Sequence, residues 1–353
     1  MRALNEAVSA NCQSAGGSRP PRRPRKFKPS EDEDDDDYER RTVDEATTGG
    51  RPVLGAMSEP SDARAPLSVL VPVKNEAANL RDCLASVSFA QEIVVVDSNS
   101  TDGTQAIADA AGARVIQFAW NGQLPRKKNW ALENVPWQHE WVLIIDADER
   151  ITPKLEYEIR QAIRRTNVDG FYLNRRFWFL DGWINHCGYF PSWNLRLFRH
   201  RLGRYEQIEI ANDIPSGDNE VHEHVLLNGR VDYLSTPMEH YAFPDIATFV
   251  EKHDRYSSWE AAARRKLHSQ DEKSLRATPF GTALERKRWL RNLASRAPFR
   301  PGLRFLYHYV WRQGFRDGYR GWVLCRLLAS YERTIVRKQR ELQKLPNNSV
   351  VPS

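Results

Sequence analysis

The chain has 353 residues, 41% hydrophobic and 28% charged, with 52 Lys and Arg against 46 Asp and Glu for a formal charge of +6, which is enough for one large core with extensions or two modest domains. No apolar run reaches the roughly 18–20 residues of a spanning helix, and no apolar stretch follows the N-terminal arginines, so no secretory signal is expected. Four cysteines, Cys12, Cys83, Cys187 and Cys325, lie far apart without a C-x-x-C pair, which disfavours a disulfide scaffold or cysteine zinc site and fits a reducing cytosol.

Residues 1–65 carry 11 Lys and Arg, 13 Asp and Glu, and an unbroken acidic run from Glu31 to Asp37; with few large apolar side chains to offset ordering entropy, they are predicted to form a disordered tail. From Leu67 the texture changes. Strands are predicted at 67–73, 92–96, 114–118 and 141–145, alternating with helices at 76–87, 104–111, 126–133 and 153–165. The last is opened by Thr152 as cap and Pro153 at the first helical position. This β-α alternation predicts an α/β fold with a mostly parallel sheet covered by helices on both faces. Further on, Trp193 to Phe198 alternates like a half-buried strand, Asp245 to Leu267 reads as a helix, and one or two more helices follow Pro301. Residues 286–353 carry 16 Lys and Arg against 3 Asp and Glu. The expected division is a tail at 1–65, an α/β domain at 66–244 and a helical basic region at 245–353.

In open α/β sheets ligands bind beyond the carboxyl ends of the strands. Pro72-Val73-Lys74-Asn75-Glu76 follows the first strand, Asp97-Ser-Asn-Ser-Thr-Asp-Gly-Thr104 the second, and Asp146-Ala-Asp-Glu149 the fourth. Gly103-Thr104 would open a helix whose free N–H groups favour an anion. Asp146 and Asp148, spaced i, i+2, can point to one side and share a hard divalent cation. Asp-x-Asp alone describes many solvated turns; behind an apolar strand, and aligned with two other polar strand ends, it becomes a specific signal. Arg126-Lys-Lys128, three basic residues opening a helix, usually form a solvated face.

Val69-Leu-Val-Pro-Val-Lys-Asn-Glu76, Ile93-Val-Val-Val-Asp-Ser-Asn-Ser-Thr-Asp-Gly-Thr104, Lys128-Asn-Trp-Ala-Leu132 and Ile145-Asp-Ala-Asp-Glu-Arg150 together resemble family-two glycosyltransferases of the GT-A fold, in the lipopolysaccharide-core β-glucosyltransferase-like branch. The resemblance spans about 66–330, and four motifs in order are far more specific than any one. It implies an inverting transferase using a nucleotide-diphosphate sugar, usually a UDP-sugar, with Mg²⁺ or Mn²⁺. Pro72, Val73, Lys74, Asn75 and Glu76, with Asp97 and Ser98, would then hold the nucleoside. Lys128 would lie near the base or diphosphate, Asp146 near the ribose or metal, and Asp148 on the metal.

An inverting displacement needs one general base for the acceptor hydroxyl. Asn219-Glu-Val-His-Glu-His224 resembles the Val-His-Glu element of this branch, which makes Glu223 the expected base and His222 a catalytic or metal-ligating neighbour. Asp213 and Asp218 are alternatives. In an extended segment Glu223 faces away from His222 and His224, and a zinc triad of His222, His224 and His240 is disfavoured. The aromatic stretch from Phe171 to His200 is expected to be mostly core, with one or two rings lining an acceptor cleft. The basic, aromatic C-terminal region suits either an anionic membrane surface or a helical cap. The acceptor would be a saccharide or lipid-linked saccharide, in the cytoplasm or peripheral on the cytoplasmic face of the inner membrane. A sugar nucleotidyltransferase is disfavoured because Lys74 to Ala78 replaces a glycine-rich phosphate loop. Nucleic-acid binding through the basic end is disfavoured by the acidic body and the lack of a recognisable module.

Overall fold

The computed structural model describes residues 63–206, 224–269 and 299–344, all within one unit, Gly50–Ser353. The predicted tail (apart from Ala63 to Ala65), the acidic run, and Asp213, Asp218, His222 and Glu223 lie outside the described residues.

Four strands, β1 (Ala65–Val73), β2 (Ala90–Asp97), β3 (Arg114–Gln117) and β4 (Trp141–Ile144), run parallel in the order β3-β2-β1-β4. The helices between them are α1 (Ala77–Ser86), α2 (Thr104–Ala110) and α3 (Lys127–Asn134). Strand residues divide by alternation. Val69, Val71 and Leu143 enter one core cluster, while Leu70, Val142 and Ile144 enter a second on the opposite face. A sheet covered on both faces produces this pattern, and it is why these strands read as nearly continuous apolar runs.

After β5 (Glu149–Arg150) and α4 (Pro153–Ala162), the sheet continues through β6 (Gly170–Trp178), β7 (Trp183–Ile184) and β8 (Trp193–Arg199). β8 inserts antiparallel between β4 and β6, so the sheet, parallel from β3 to β4 as expected, is of mixed direction beyond β4. A two-stranded ribbon joins β9 (Gly203–Tyr205) to β10 (Val225–Leu227), and β11 (Val231–Tyr233) and β12 (Met238–His240) both run parallel to β6. β12 also pairs with β5, His240 opposite Glu149. That pairing carries a distant histidine to the end of β4.

The C-terminal part comprises α5 (Ile246–Ser269), α6 (Arg300–Leu306), a widened π turn at Tyr307–Trp311, a short 3-10 turn at Gly314–Asp317, and α7 (Gly318–Lys344). A third core cluster joins these helices to the sheet: Phe249 of α5, with Val323, Leu324 and Leu328 of α7, packs on Phe177, Phe179 and Ile184. Among the described residues no helix is long and apolar enough to cross a membrane.

Candidate active site at the strand ends

Strand order reverses between β1 and β4, and the loops leaving β1, β2 and β4 meet there. The first two are laced together. Asn75 N–H donates to Ser100 Oγ (2.8 Å), Thr101 N–H to Asn75 Oδ1 (2.9 Å), Glu76 N–H to Thr104 Oγ1 (2.9 Å) and Ala77 N–H to Asp102 Oδ2 (3.0 Å). Asn75 and Asn99 sit at φ 54° and Gly103 at φ 88°, left-handed conformations that glycine and asparagine adopt at least cost. The polar run Asp97 to Thr104 thus has a large structural duty. Buried Asp97 accepts from Ser100 N–H and Oγ and from Gln117 Nε2. At the helix opening at Gly103-Thr104, Thr104 N–H donates to Asp102 Oδ1 at 3.1 Å, so one of the N–H groups expected for an anion already has a partner. Ser98 Oγ is buried with no hydrogen-bond partner among the described residues, while Lys74 and Asn75 are exposed.

The turn after β4 is built around three acids. Asp146 accepts from Lys128 Nζ at 3.1 Å and from Arg196 Nη2 at 2.7 Å. Burial alone would raise its carboxyl, but the charges and hydrogen bonds of Arg196 and Lys128 outweigh that and hold it well below the usual carboxylate range. Glu149, fully buried, accepts Asp146 N–H at 2.9 Å and lies 3.1 Å from Arg196 and 3.6 Å from Arg175. Asp148 Oδ1 stands 3.6 Å from His240 Nε2, and its backbone carbonyl accepts Tyr241 N–H at 2.8 Å. Burial is again opposed, here by His240, and the Asp148 carboxyl is lowered. Across the cleft Glu76 is raised by burial, reinforced by the charges of Asp148 and Asp146. Glu76, Asp146 and Asp148 therefore share one electrostatic neighbourhood, as their order in sequence predicted.

Arg126, Lys127 and Lys128 are buried, not a solvated face. Lys127 Nζ donates to Val73 O at 2.9 Å, pinning α3 beneath the β1 loop. Asn129 holds Tyr205 in both directions, Nδ2 to the carbonyl and Oδ1 from the N–H, each at 2.8 Å. Burying cations requires compensating oxygens; the β1-end carbonyl of Val73 supplies one to Lys127 and the Asp146 carboxylate one to Lys128.

Arg196 and Arg175 were not among the expected site residues, while Glu149 stood only in the strand-end run and His240 only in the disfavoured zinc triad. The signal for Arg196 was present: an arginine inside the apolar strand Trp193 to Phe198 is buried only when paired. Of the aromatic stretch, Phe171, Phe177, Phe179 and Phe198 are buried, Tyr172 and Tyr189 pack half-buried against the core clusters, and the other rings are half-buried. The half-buried group near the site is Trp178, Trp183 and Tyr241, with ring centroids 4.7–5.9 Å apart. Arg176 lies 4.8 Å over Trp183.

Among the described residues no group of three or more His, Cys, Asp or Glu could hold a metal ion. The donor set is a pair, Asp148 and His240. A carboxylate oxygen and an imidazole nitrogen 3.6 Å apart need close only slightly to bind one ion, since two adjacent ligands at about 2.1 Å in octahedral geometry lie roughly 3 Å apart. The residues therefore fit a divalent cation with open positions for outside ligands. Both Asp146 oxygens already carry cationic partners.

The family model "Glycosyl transferase family 2" matches residues 68–217, a span holding the three converging loops. An uncharacterized glycosyltransferase of Rickettsia bellii is 31% identical over 206 residues, 55% of this chain and 66% of that protein. One of Rickettsia felis is 32% identical over 204 residues, 55% of this chain and 69% of that protein. The lipopolysaccharide core biosynthesis glycosyltransferase LpsC of Rhizobium meliloti is 30% identical over 208 residues, 56% and 70% respectively. Among solved structures, glucosyl-3-phosphoglycerate synthase from Mycobacterium tuberculosis, in complex with Mn²⁺, UDP and glucosyl-3-phosphoglycerate, is 24% identical with a TM-score of 0.26, covering 33% of this chain and 44% of that one. S. aureus TarS 1–349 is 16% identical with a TM-score of 0.36, covering 76% and 91%. The chain thus spans about two thirds of the curated relatives' length and under half of the synthase. With four motifs in order, loops that converge at one end of the sheet, and relatives at least 30% identical of whose length the chain covers 69–70%, this chain belongs to glycosyl transferase family 2.

Proposed function

We propose that the protein is a metal-dependent, inverting glycosyltransferase that moves a sugar from a nucleotide-diphosphate donor, a UDP-sugar, to a saccharide or lipid-linked saccharide in cell-envelope glycan synthesis. The observation that carries this reading is the Asp148–His240 pair at the end of β4, beside an aspartate whose charge is already balanced by Lys128 and Arg196. Mg²⁺ or Mn²⁺ held by Asp148 and His240 would supply Lewis-acid stabilisation of the leaving diphosphate. Lys128 and Arg196 keep Asp146 ionised and oriented, and Lys252, whose charge acts on both Asp148 and Glu76, adds positive potential where phosphate charge develops. Ser98 Oγ and the exposed Lys74-Asn75 turn are the proposed nucleoside contacts, with Pro72, Val73, Glu76 and Asp97 shaping the floor.

The half-buried rings of Trp178, Trp183 and Tyr241 form the proposed acceptor platform. Their apolar faces suit sugar C–H surfaces, and Tyr241 is tied through its backbone to Asp148. Glu223 is the proposed base and His222 its neighbour. The name of LpsC supports the envelope-glycan assignment, which would set the enzyme at the cytoplasmic face of a membrane.

A panel of nucleotide sugars, read by thermal stabilisation and by metal-dependent hydrolysis with and without chelator, tests the proposal. UDP-sugars are expected to stabilise the protein only with Mg²⁺ or Mn²⁺, and Asp148→Ala is expected to abolish both readouts while the fold persists. Wild-type turnover in Asp148→Ala would refute the metal assignment.

A further inference from the structure

The helix from Arg300 through the π turn at Tyr307–Trp311 carries its apolar stripe outward. Leu303, Leu306, Tyr307, Val310 and Trp311 follow i, i+3, i+4, i+7, i+8 spacing, the pattern by which a helix normally faces a core, yet all five are exposed, Trp311 by 77%. The opposite side of the same helix holds Phe305 and Tyr309, which pack on the third core cluster. The burial requirement of the helix is therefore already met, and the second stripe is surplus to the fold. It continues past the turn into Phe315, Tyr319 and Trp322, with Tyr319 72% exposed.

The charge around this patch is one-sided. Residues 299–332 contain six arginines and two acids: Glu332, buried against Arg300 and Arg304, and Asp317. The latter is committed inward: its carboxylate accepts the N–H groups of Asn185 and His186 at 3.2 and 2.9 Å. Arg316 and Arg326 are exposed beside the aromatics, Arg326 lying 4.8 Å over the Trp322 ring.

We infer that this face is an interfacial docking surface for an anionic lipid bilayer, with the Leu303–Trp311 stripe entering the headgroup boundary and the arginines meeting lipid phosphates. Exposed Trp and Tyr flanked by arginine is the composition that membrane interfaces select. A second copy of the chain is disfavoured as occupant, because a two-fold contact would set two arginine-rich faces against each other. The inference stands on the patch alone and does not depend on the transferase reading. The two are joined in the fold, however. Arg320 Nε donates to Leu180 O at 2.9 Å, and the following β7 carries Trp183 of the acceptor platform, so a lipid-bound stripe would hold that platform close to the membrane.

The experiment is flotation of the full chain with vesicles of phosphatidylcholine alone and of phosphatidylcholine with one quarter phosphatidylglycerol, together with light scattering for mass. The wild type is expected to float with the anionic vesicles and to lose partitioning as salt rises. The double variant Leu306→Glu/Trp311→Glu should bind about tenfold more weakly or worse. Arg316→Glu/Arg326→Glu, which leaves the apolar stripe intact, should also lose about tenfold. Both variants should melt as the wild type does, since neither pair lies in the core. No flotation of the wild type, equal flotation of the variants, or a concentration-dependent dimer dissolved by Leu306→Glu/Trp311→Glu would each overturn the inference.

Discussion

Removing Arg196 tests the electrostatic account of the site most directly. Its guanidinium is 6% exposed and bridges Asp146 at 2.7 Å and Glu149 at 3.1 Å. Arg196→Met keeps much of the apolar stem and deletes the charge. Breaking a buried ion pair from one side costs about 3–5 kcal/mol, because the remaining charge stays buried without its partner. Asp146 is 30% exposed and keeps Lys128, which favours the lower end of that range. Glu149 is fully buried and keeps the Asp146 N–H at 2.9 Å but, as a charged partner, the longer contact to Arg175 at 3.6 Å, which favours the upper end. The expected loss is therefore about 3–4 kcal/mol, measured by urea unfolding at pH 7. Glu149→Gln in the same background should recover a good part of it, since the uncompensated charge is then gone. The pH profile gives an independent check. Asp146 has its folded pKa depressed, so its contribution is present above the unfolded value of about 3.9 and lost as pH falls through the folded value. The wild type should lose stability on that acid limb more steeply than Arg196→Met. A loss under about 1 kcal/mol, the scale of an exposed pair, with superimposable acid limbs, would refute the reasoning.

Glu223→Gln is expected to retain donor binding and lose transfer; unchanged transfer would move the base to Asp213, Asp218 or a histidine. Asn129→Ala removes two buried hydrogen bonds to the Tyr205 backbone and should destabilise the chain by about 2–6 kcal/mol in denaturant titrations, at about 1–3 kcal/mol for each backbone group left unsatisfied; a cost below about 0.5 kcal/mol would show that water replaces the amide. Burial lowers the His253 imidazole to about 4, where it stacks on Phe249 at 3.7 Å. A depressed imidazole stays neutral in the fold while the unfolded chain takes up a proton, so its contribution is complete above about pH 6.5 and is lost as pH falls from there toward 4. His253→Phe should flatten the stability profile across that window, and parallel profiles would contradict the shift.

Local pattern determined a great deal. The first four strands and the helices between them fall within two residues of their expected limits, and the next helix, opened by Thr152 and Pro153, stops at Ala162, three residues short. The caps and periods that define them are properties of adjacent residues. The three polar strand ends were legible for the same reason: carboxylates and small hydroxyls stand directly after apolar runs, where an α/β sheet builds its site. Pairing between distant segments was not legible. Antiparallel insertion of β8 delivers Arg196 to Asp146, and β12 delivers His240 to Asp148 from ninety-two positions away. The basic triplet at Arg126 reads as a solvated face because its compensating oxygens belong to other loops, and the stripe at Leu303–Trp311 reads equally as a membrane surface or a helical cap because periodicity gives a face without saying what lies against it. Sequence pattern specifies which side of each element avoids or seeks water, whereas the charge partners, and therefore the ionisation of the site, exist only once the sheet has closed.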